Sequence, residues 1–234
     1  MNRTLGAVAA LLLGAVAVAC QPEPGPPAGP QPRRVAVYGD SLLHSSAPVW
    51  RTSIEEQLPD WNLLERALWG SAACDHLEQM ADDAREAWNV RVVVIAFYGN
   101  AITPCARGQR VEDRYRWDLT LAVDLWQERG ARVVLVVPPG PVDSEPYSPA
   151  GRAALAVARD RRVQLVDTTG AFVDPETGRF AAELDGVAVR SPDGVHLCDH
   201  ESLGEIVCAS DDAGANRYGQ PIAAAVVAEA RLVK

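Results

Sequence analysis

Ser41 closes the tripeptide Gly39-Asp40-Ser41, directly after the apolar run Val35 to Tyr38. Near the other end of the chain, Asp193 and His196 stand in Ser191-Pro192-Asp193-Gly194-Val195-His196. A hydroxyl, an imidazole and a carboxylate are the parts of nucleophilic acyl chemistry. The hydroxyl attacks, the imidazole takes and returns a proton near neutral pH, and the carboxylate holds the imidazole in one tautomer. Each residue also has a plainer reading. A serine between a strand and Leu42-Leu43 is good helix-capping chemistry, His196 reads equally as a loop histidine, and Pro192-Asp193-Gly194 is a turn signature. Asp40 is expected to accept loop amides beside the serine, and His44, His76 and His200 to be surface or loop residues.

Such groups need rigid elements to hold them. Strands are expected over Val35 to Tyr38, Asn62 to Leu64 (weak), Arg91 to Phe97, Arg132 to Val137 and Val163 to Val166. Three of these are continuous apolar runs, the pattern of strands covered on both faces of a parallel sheet. Helices are expected at about 46–58, 76–88, 112–129, 149–160 and 217–232. Trp117, Leu121 and Leu125 share one stripe of the third, and Ile222, Val226 and Ala230 one stripe of the last. Strand and helix alternate throughout, which implies an α/β/α sandwich around a five-stranded parallel sheet with right-handed crossovers. Thr168 to Gly219 reads as a structured loop region before the closing helix. Trp50, Trp61, Trp88, Trp117 and Trp126 are expected mostly in the core, whereas Trp69 abuts Gly70 and is the tryptophan placed to face a substrate.

In open parallel sheets the ligand crevice lies beyond the carboxyl ends of the strands. There the chain carries Gly39-Asp40-Ser41, Trp69-Gly70-Ser71 and Tyr98-Gly99-Asn100, with Asp193-Gly194-Val195-His196 before the last helix. This ordered set resembles the SGNH, or GDSL, hydrolase superfamily, from Val35 to the end of the chain. One departure is that Ala101 follows Asn100, where the family often has Gly-x-Asn-Asp. The resemblance implies a flavodoxin-like three-layer fold and a serine esterase with Ser41, His196 and Asp193 as its triad. It also implies an oxyanion hole made by the backbone amides of Ser41 and Gly70 and the side-chain amide of Asn100. The plain alternatives are a turn glycine at Gly70 and an Asx turn at Asn100. The implied substrate is a small-molecule or glycan O-acyl ester, such as acetyl, with no metal or other cofactor. An O-acyltransferase and a catalytically silent surface binding lipoprotein are the alternatives.

Residues 1 to 19 have the shape of a signal peptide: Arg3, then an apolar run from Leu5 to Ala19 that is short for a bilayer span. Ala17-Val18-Ala19-Cys20 resembles a bacterial lipobox, which makes Cys20 the expected lipid attachment point. An Ala-x-Ala cut nearby is the alternative. Residues 20–33 are proline-rich and form an expected extended tether, leaving 34–234 as the folded domain, expected to be exported and held at the outer face of a bacterial membrane only through that lipid, or otherwise periplasmic or secreted.

Four further cysteines, Cys74, Cys105, Cys198 and Cys208, suit an oxidising compartment. Three pairings are possible. Closeness favours Cys198 with Cys208, and elimination leaves Cys74 with Cys105. His196, Cys198, His200 and Cys208 could alternatively bind zinc, but the spacing is not a standard pair of knuckles and exported thiols rarely stay reduced. The chain has 234 residues, with 22 Lys and Arg against 31 Asp and Glu for a net charge of −9. That balance argues against nucleic acid as a partner.

Overall fold

The structure, a computed structural model, describes residues 31–86, 89–144, 146–198, 201–202, 205–206 and 208–233. The leader, Cys20, residues 20–30 of the tether, Trp88 and His200 lie outside the described residues.

Five parallel strands form the central sheet: β1 (Arg33–Gly39), β2 (Trp61–Ala67), β3 (Val90–Ala96), β4 (Arg132–Val137) and β5 (Gln164–Asp167). Their spatial order is β2-β1-β3-β4-β5. The helices are α1 (Ser41–Ser45) and α2 (Ala47–Gln57) after β1, α3 (Leu77–Arg85) after β2, α4 (Val111–Glu128) after β3, α5 (Pro149–Arg161) after β4, and the closing α6 (Ala213–Leu232). The region before α6 holds two short antiparallel ribbons, β6 (Glu183–Leu184) with β7 (Val187–Ala188) and β8 (Glu201–Ser202) with β9 (Glu205–Ile206).

Successive side chains of a strand face opposite ways, so the continuous apolar runs fill two cores at once. Val35, Val37, Val92, Val94, Val134 and Val136 pack with Trp50 and Ile54 of α2 and with Tyr218, Ile222 and Val226 of α6. Ala36, Tyr38, Val93, Ile95, Val133 and Leu135 pack with Met80 of α3, Leu119 and Trp126 of α4, and Val157 of α5. The result is a three-layer α/β/α sandwich. Gly39 pairs with Ala67 on one side and Ala96 on the other, which brings the carboxyl ends of β2, β1 and β3 level. The strand order reverses direction at β1 and β3, and the crevice of such a sheet opens there.

Several elements differ from the sequence expectation. β2 runs well past Asn62 to Leu64 because it is the sheet edge, where Glu65 and Arg66 are tolerated and the apolar signal fades. The Trp117 and Leu121 stripe of α4 faces solvent, with Trp117 62% exposed. Two stripes with helical spacing exist on α4, and the buried one runs through Tyr115, Leu119, Ala122, Val123 and Trp126. It carries Asp118 inward as well, whose carboxylate accepts from Arg114 Nε at 2.7 Å. α6 starts at Ala213, earlier than the apolar spacing indicates. A Cβ on Gly214 would lie 1.9 Å from Leu197 O and 2.3 Å from Val189 O, so only glycine lets this helix start so close to the preceding loop.

One buried carboxylate ties the edge of the sheet to α3. Asp83 accepts from Tyr38 Oη (2.7 Å), Arg66 Nε (3.1 Å) and Nη2 (3.0 Å), and Gln79 Nε2 (2.9 Å). Burial alone would raise its pKa, but the hydrogen bonds from Arg66 and Tyr38 outweigh it and leave the carboxyl below its ordinary value. Folding therefore favours its charged form. The stability it contributes is complete above the unfolded value of about 3.9 and is lost as pH falls through the lower folded one. Asp83→Asn is expected to lose about 3 kcal/mol at pH 7 in denaturant unfolding, and its deficit relative to the parent should shrink below about pH 4.

Candidate active site

The carboxyl end of β1 turns directly into α1, and Asp40 makes that turn. Its Oδ1 accepts the Leu42 amide at 3.1 Å and its Oδ2 accepts the Tyr98 amide at the exit of β3. Asp40 is therefore the helix N-cap, and Ser41 occupies the first helical position with its hydroxyl uncommitted to capping. Asp40 has no exposed surface. Burial pushes its carboxyl up to about 7, against the pull of the two amides.

Ser41 Oγ lies 3.0 Å from His196 Nε2, and His196 Nδ1 lies 2.5 Å from Asp193 Oδ2. Asp193 Oδ1 also accepts the amides of Val195 (2.8 Å) and His196 (2.9 Å) and the Ser191 hydroxyl. Burial would raise the Asp193 pKa, but these bonds outweigh it and hold the carboxyl well below the usual carboxylate range. An ionised carboxylate only accepts, so the His196 proton sits on Nδ1 and Nε2 is left to accept from Ser41. The turn reading of Asp193 holds together with this one, since the same side chain closes the loop on itself.

The Ser41 and Gly70 amides have no partner among the described residues. Gly70 has φ +66° and is the third residue of a turn closed by the Ser71 amide on Leu68 O at 3.4 Å. The turn reading of this glycine is thus borne out. Asn100 Nδ2 donates to Ser71 O at 2.8 Å; an amide carries two N–H groups, so one remains. No Asx turn forms at Asn100 among the described contacts. Its backbone carbonyl accepts from Tyr115 Oη at 2.9 Å.

No family model matches this chain, and no curated protein does. Solved structures do. A GDSL-like lipase from Bacteroides thetaiotaomicron VPI-5482 superposes with a TM-score of 0.58 at 15% identity, over 86% of this chain and 89% of that one. The acetyl xylan esterase AlAXEase gives 0.60 at 18% identity, over 82% and 99%. TesA gives 0.58 at 17%, over 84% and 99%. The chain has the SGNH-hydrolase fold.

Within this SGNH-type fold the cysteines form the two expected pairs, Cys74–Cys105 and Cys198–Cys208, with Cα–Cα separations of 6.1 and 5.6 Å. The first joins the segment after Gly70 to the segment after Asn100. The second closes the loop that follows His196, and the Cys208 amide donates to Ser45 O at the end of α1 at 3.0 Å. Sulfurs joined as Cys198–Cys208 cannot serve as zinc thiolates, and His200, the remaining candidate ligand, lies outside the described residues.

His76 departs from expectation. It is buried, and its Nε2 stands 2.8 Å from Ser71 Oγ. That hydroxyl has a single proton, which it gives to Leu68 O at 2.8 Å, so His76 Nε2 is the donor. Burial lowers the imidazole pKa to about 4, against the nearby Asp75. Nothing in the sequence around Cys74-Asp75-His76 marks this histidine as internal. Half-buried Trp69 lies against His196 with ring centroids 5.0 Å apart and the planes tilted by 39°, and its other ring neighbour is His44 at 5.8 Å. Ser191, whose hydroxyl reaches Asp193, is the site residue that sequence reasoning did not single out. Its place two residues before the aspartate was the available signal.

The loop lengths closed by the two disulfides set their expected worth. Replacing Cys74 and Cys105 by alanine should cost about 4 kcal/mol and replacing Cys198 and Cys208 about 3 kcal/mol on the loop-entropy account, as read by denaturant unfolding under oxidising conditions.

Proposed function

We propose that this protein is a serine ester hydrolase that cleaves O-acyl esters through Ser41, His196 and Asp193. The observation that carries the reading is the continuous contact from Ser41 Oγ to His196 Nε2 and from His196 Nδ1 to Asp193. His196 takes the Ser41 proton as the oxygen attacks the acyl carbon. The carbonyl oxygen becomes an oxyanion facing the Ser41 and Gly70 amides and the spare Asn100 N–H, donors of a kind each worth about 10²–10³ in rate. The tetrahedral adduct collapses, and His196 returns the proton to the leaving alcohol. Water then repeats the sequence on the acyl-serine and releases the acid. No step requires a metal or an organic cofactor.

The substrate within this reading is a short-chain ester, such as acetyl, on a glycan or small molecule. Its support is the acetyl xylan esterase among the structurally similar proteins. A mainly apolar hollow of about 400 Å³ includes Gly99, next to Asn100, and is lined by Tyr98, Val111, Pro141, Pro149 and Ala150 with Ser144, Ser148 and Arg152 among its polar residues; it offers room for the acyl or alcohol portion. Export, with a lipid on Cys20 as the only membrane contact, belongs to the same proposal. It is supported by the lipobox-like Ala17-Val18-Ala19-Cys20 and by two disulfides, which persist in oxidising compartments. The net charge of −9 supports a partner other than nucleic acid.

The test is p-nitrophenyl acetate hydrolysis by the parent, Ser41→Ala, His196→Ala and Asp193→Asn, with chelator present. The parent is expected to turn over and every variant to lose at least about a hundredfold in kcat while remaining folded. A serine-directed phosphonate should label the parent at Ser41. Inertness relieved by sugar acceptors would instead assign acyl transfer. Inertness with every acceptor and no phosphonate labelling would assign a binding lipoprotein.

A further inference from the structure

Arg190 stands between β7 and Ser191 and is 3% exposed. Its Nη1 donates to Val195 O at 2.6 Å and its Nη2 to Gly140 O at 2.7 Å. The guanidinium lies 4.6 Å from the Phe172 ring and 6.0 Å from Phe180. Its Nε has no partner, and no carboxylate among the described residues lies within ion-pair distance of it. Burial lowers its pKa to about 10, with Tyr98, Tyr218 and Asp193 opposing, so it stays charged at neutral pH. A buried cation without a counter-ion is an expensive feature, and apolar side chains of similar size often serve the fold as well or better. Its retention calls for a use other than filling space.

The two carbonyls it grips indicate that use. Val195 immediately precedes His196, and Gly140 belongs to the segment that leaves β4. Ser191 to His196 is closed on itself from within: Asp193 accepts two of its amides, and the Ser191 amide donates to His196 O at 2.8 Å. Those bonds give the loop its shape and leave its position over Ser41 unspecified. Position comes from contacts beyond those bonds. Cys198–Cys208 follows His196 and leads to Ser45 O at the end of α1, while Arg190 holds Val195 O and the Val142 amide donates to Gly194 O at 2.9 Å. The last two contacts lead to the segment after β4. A guanidinium can hold carbonyls on two segments at once with a fixed angle between them, whereas an ammonium is a point charge on a flexible stem.

We infer that Arg190 is a positioning residue for the reaction: it fastens the loop bearing Asp193 and His196 to the exit of β4 and so sets the distance from His196 Nε2 to Ser41 Oγ. This rests on the serine-hydrolase reading above. Arg190 is 3% exposed and its contacts are with Val195 O, Gly140 O and the Phe172 and Phe180 rings, so its loss should act on kcat and leave KM nearly alone. A misplacement of about 1 Å in a catalytic group costs on the order of a hundredfold.

The experiment compares the full-length parent with Arg190→Met, which keeps bulk and removes the charge, and Arg190→Lys, which keeps the charge and loses the fork. Four quantities are read: kcat and KM for p-nitrophenyl acetate, the melting temperature, and the low-field proton resonance of His196 Nδ1–H, identified by its loss in His196→Ala. Arg190→Met is expected to keep a cooperative melt while kcat falls about a hundredfold. KM should stay within about threefold, the His196 resonance should shift or broaden, and Arg190→Lys should fall between Met and the parent. A folded Arg190→Met with parental kcat and an unchanged resonance overturns the inference. If Arg190→Met does not fold, Arg190→Lys decides by the same readouts. If the parent hydrolyses nothing, the esterase reading fails separately and the resonance alone decides: its change in a folded variant upholds the positioning role, and its persistence overturns it.

Discussion

A carboxylate with no access to water sits where β1 becomes α1, and the geometry of the candidate site follows from how it is satisfied. Asp40 has two oxygens and spends them on two different elements, the first turn of α1 through the Leu42 amide and the exit of β3 through the Tyr98 amide. The first bond caps the helix and thereby leaves Ser41 free of that duty. The second holds the strand that delivers Asn100 beside the strand that delivers Ser41. A side chain of any other length or acceptor number would leave a buried amide unpaired, a cost that sheets and helices rarely carry.

The remaining site parts arrive on connections, which are the least constrained portions of an α/β sandwich. Here each connection is fastened at more than one point. Cys74–Cys105 links the segments that follow Gly70 and Asn100, and Asn100 Nδ2 bonds to Ser71 O between them. His196 is fixed by Asp193 within its loop, by Cys198–Cys208 just beyond, and by Gly214, whose missing Cβ lets α6 begin against Leu197. Cys208 in turn bonds to the end of α1. The fastenings thus hold the connections that carry Gly70 and Asn100 and the one that carries His196, at the crevice where the strand order reverses.

Most of the fold is legible in the sequence because strands covered on both faces must be apolar throughout, as Arg91 to Phe97 and Arg132 to Val137 are. The signal fails where that constraint relaxes. β2 is an edge strand and tolerates Glu65 and Arg66, so its length is hidden. α4 offers two apolar stripes, and local spacing cannot tell that Asp118 with Arg114 belongs to the buried one while Trp117 does not. Ser41, Gly70, Asn100, Asp193 and His196 are legible as residue types at strand ends. Their mutual distances are tertiary facts, and so are the burial of His76 and Arg190, since each is of a type ordinarily found at the surface.

Those exceptions cluster. Asp40, His76 and Arg190 are ionisable, almost wholly buried, and each touches a segment that carries part of the candidate site: α1 and the β3 exit for Asp40, the Ser71 turn for His76, and the loop ending in His196 for Arg190. Asp83, Asp118 and Glu229, the buried carboxylates remote from the site among the described residues, are each bonded to an arginine. Buried charge away from the site is therefore neutralised locally, whereas Asp40 and Arg190 at the site are held by backbone amides and carbonyls, which are directional partners fixed to the chain. Directional bonds define where a loop lies, and a hydrophobic contact of equal strength does not. A fold that only needed to persist would gain from replacing such groups with apolar ones. A fold that must hold an oxygen and a nitrogen 3.0 Å apart across residues from opposite ends of the chain has a physical reason to keep them.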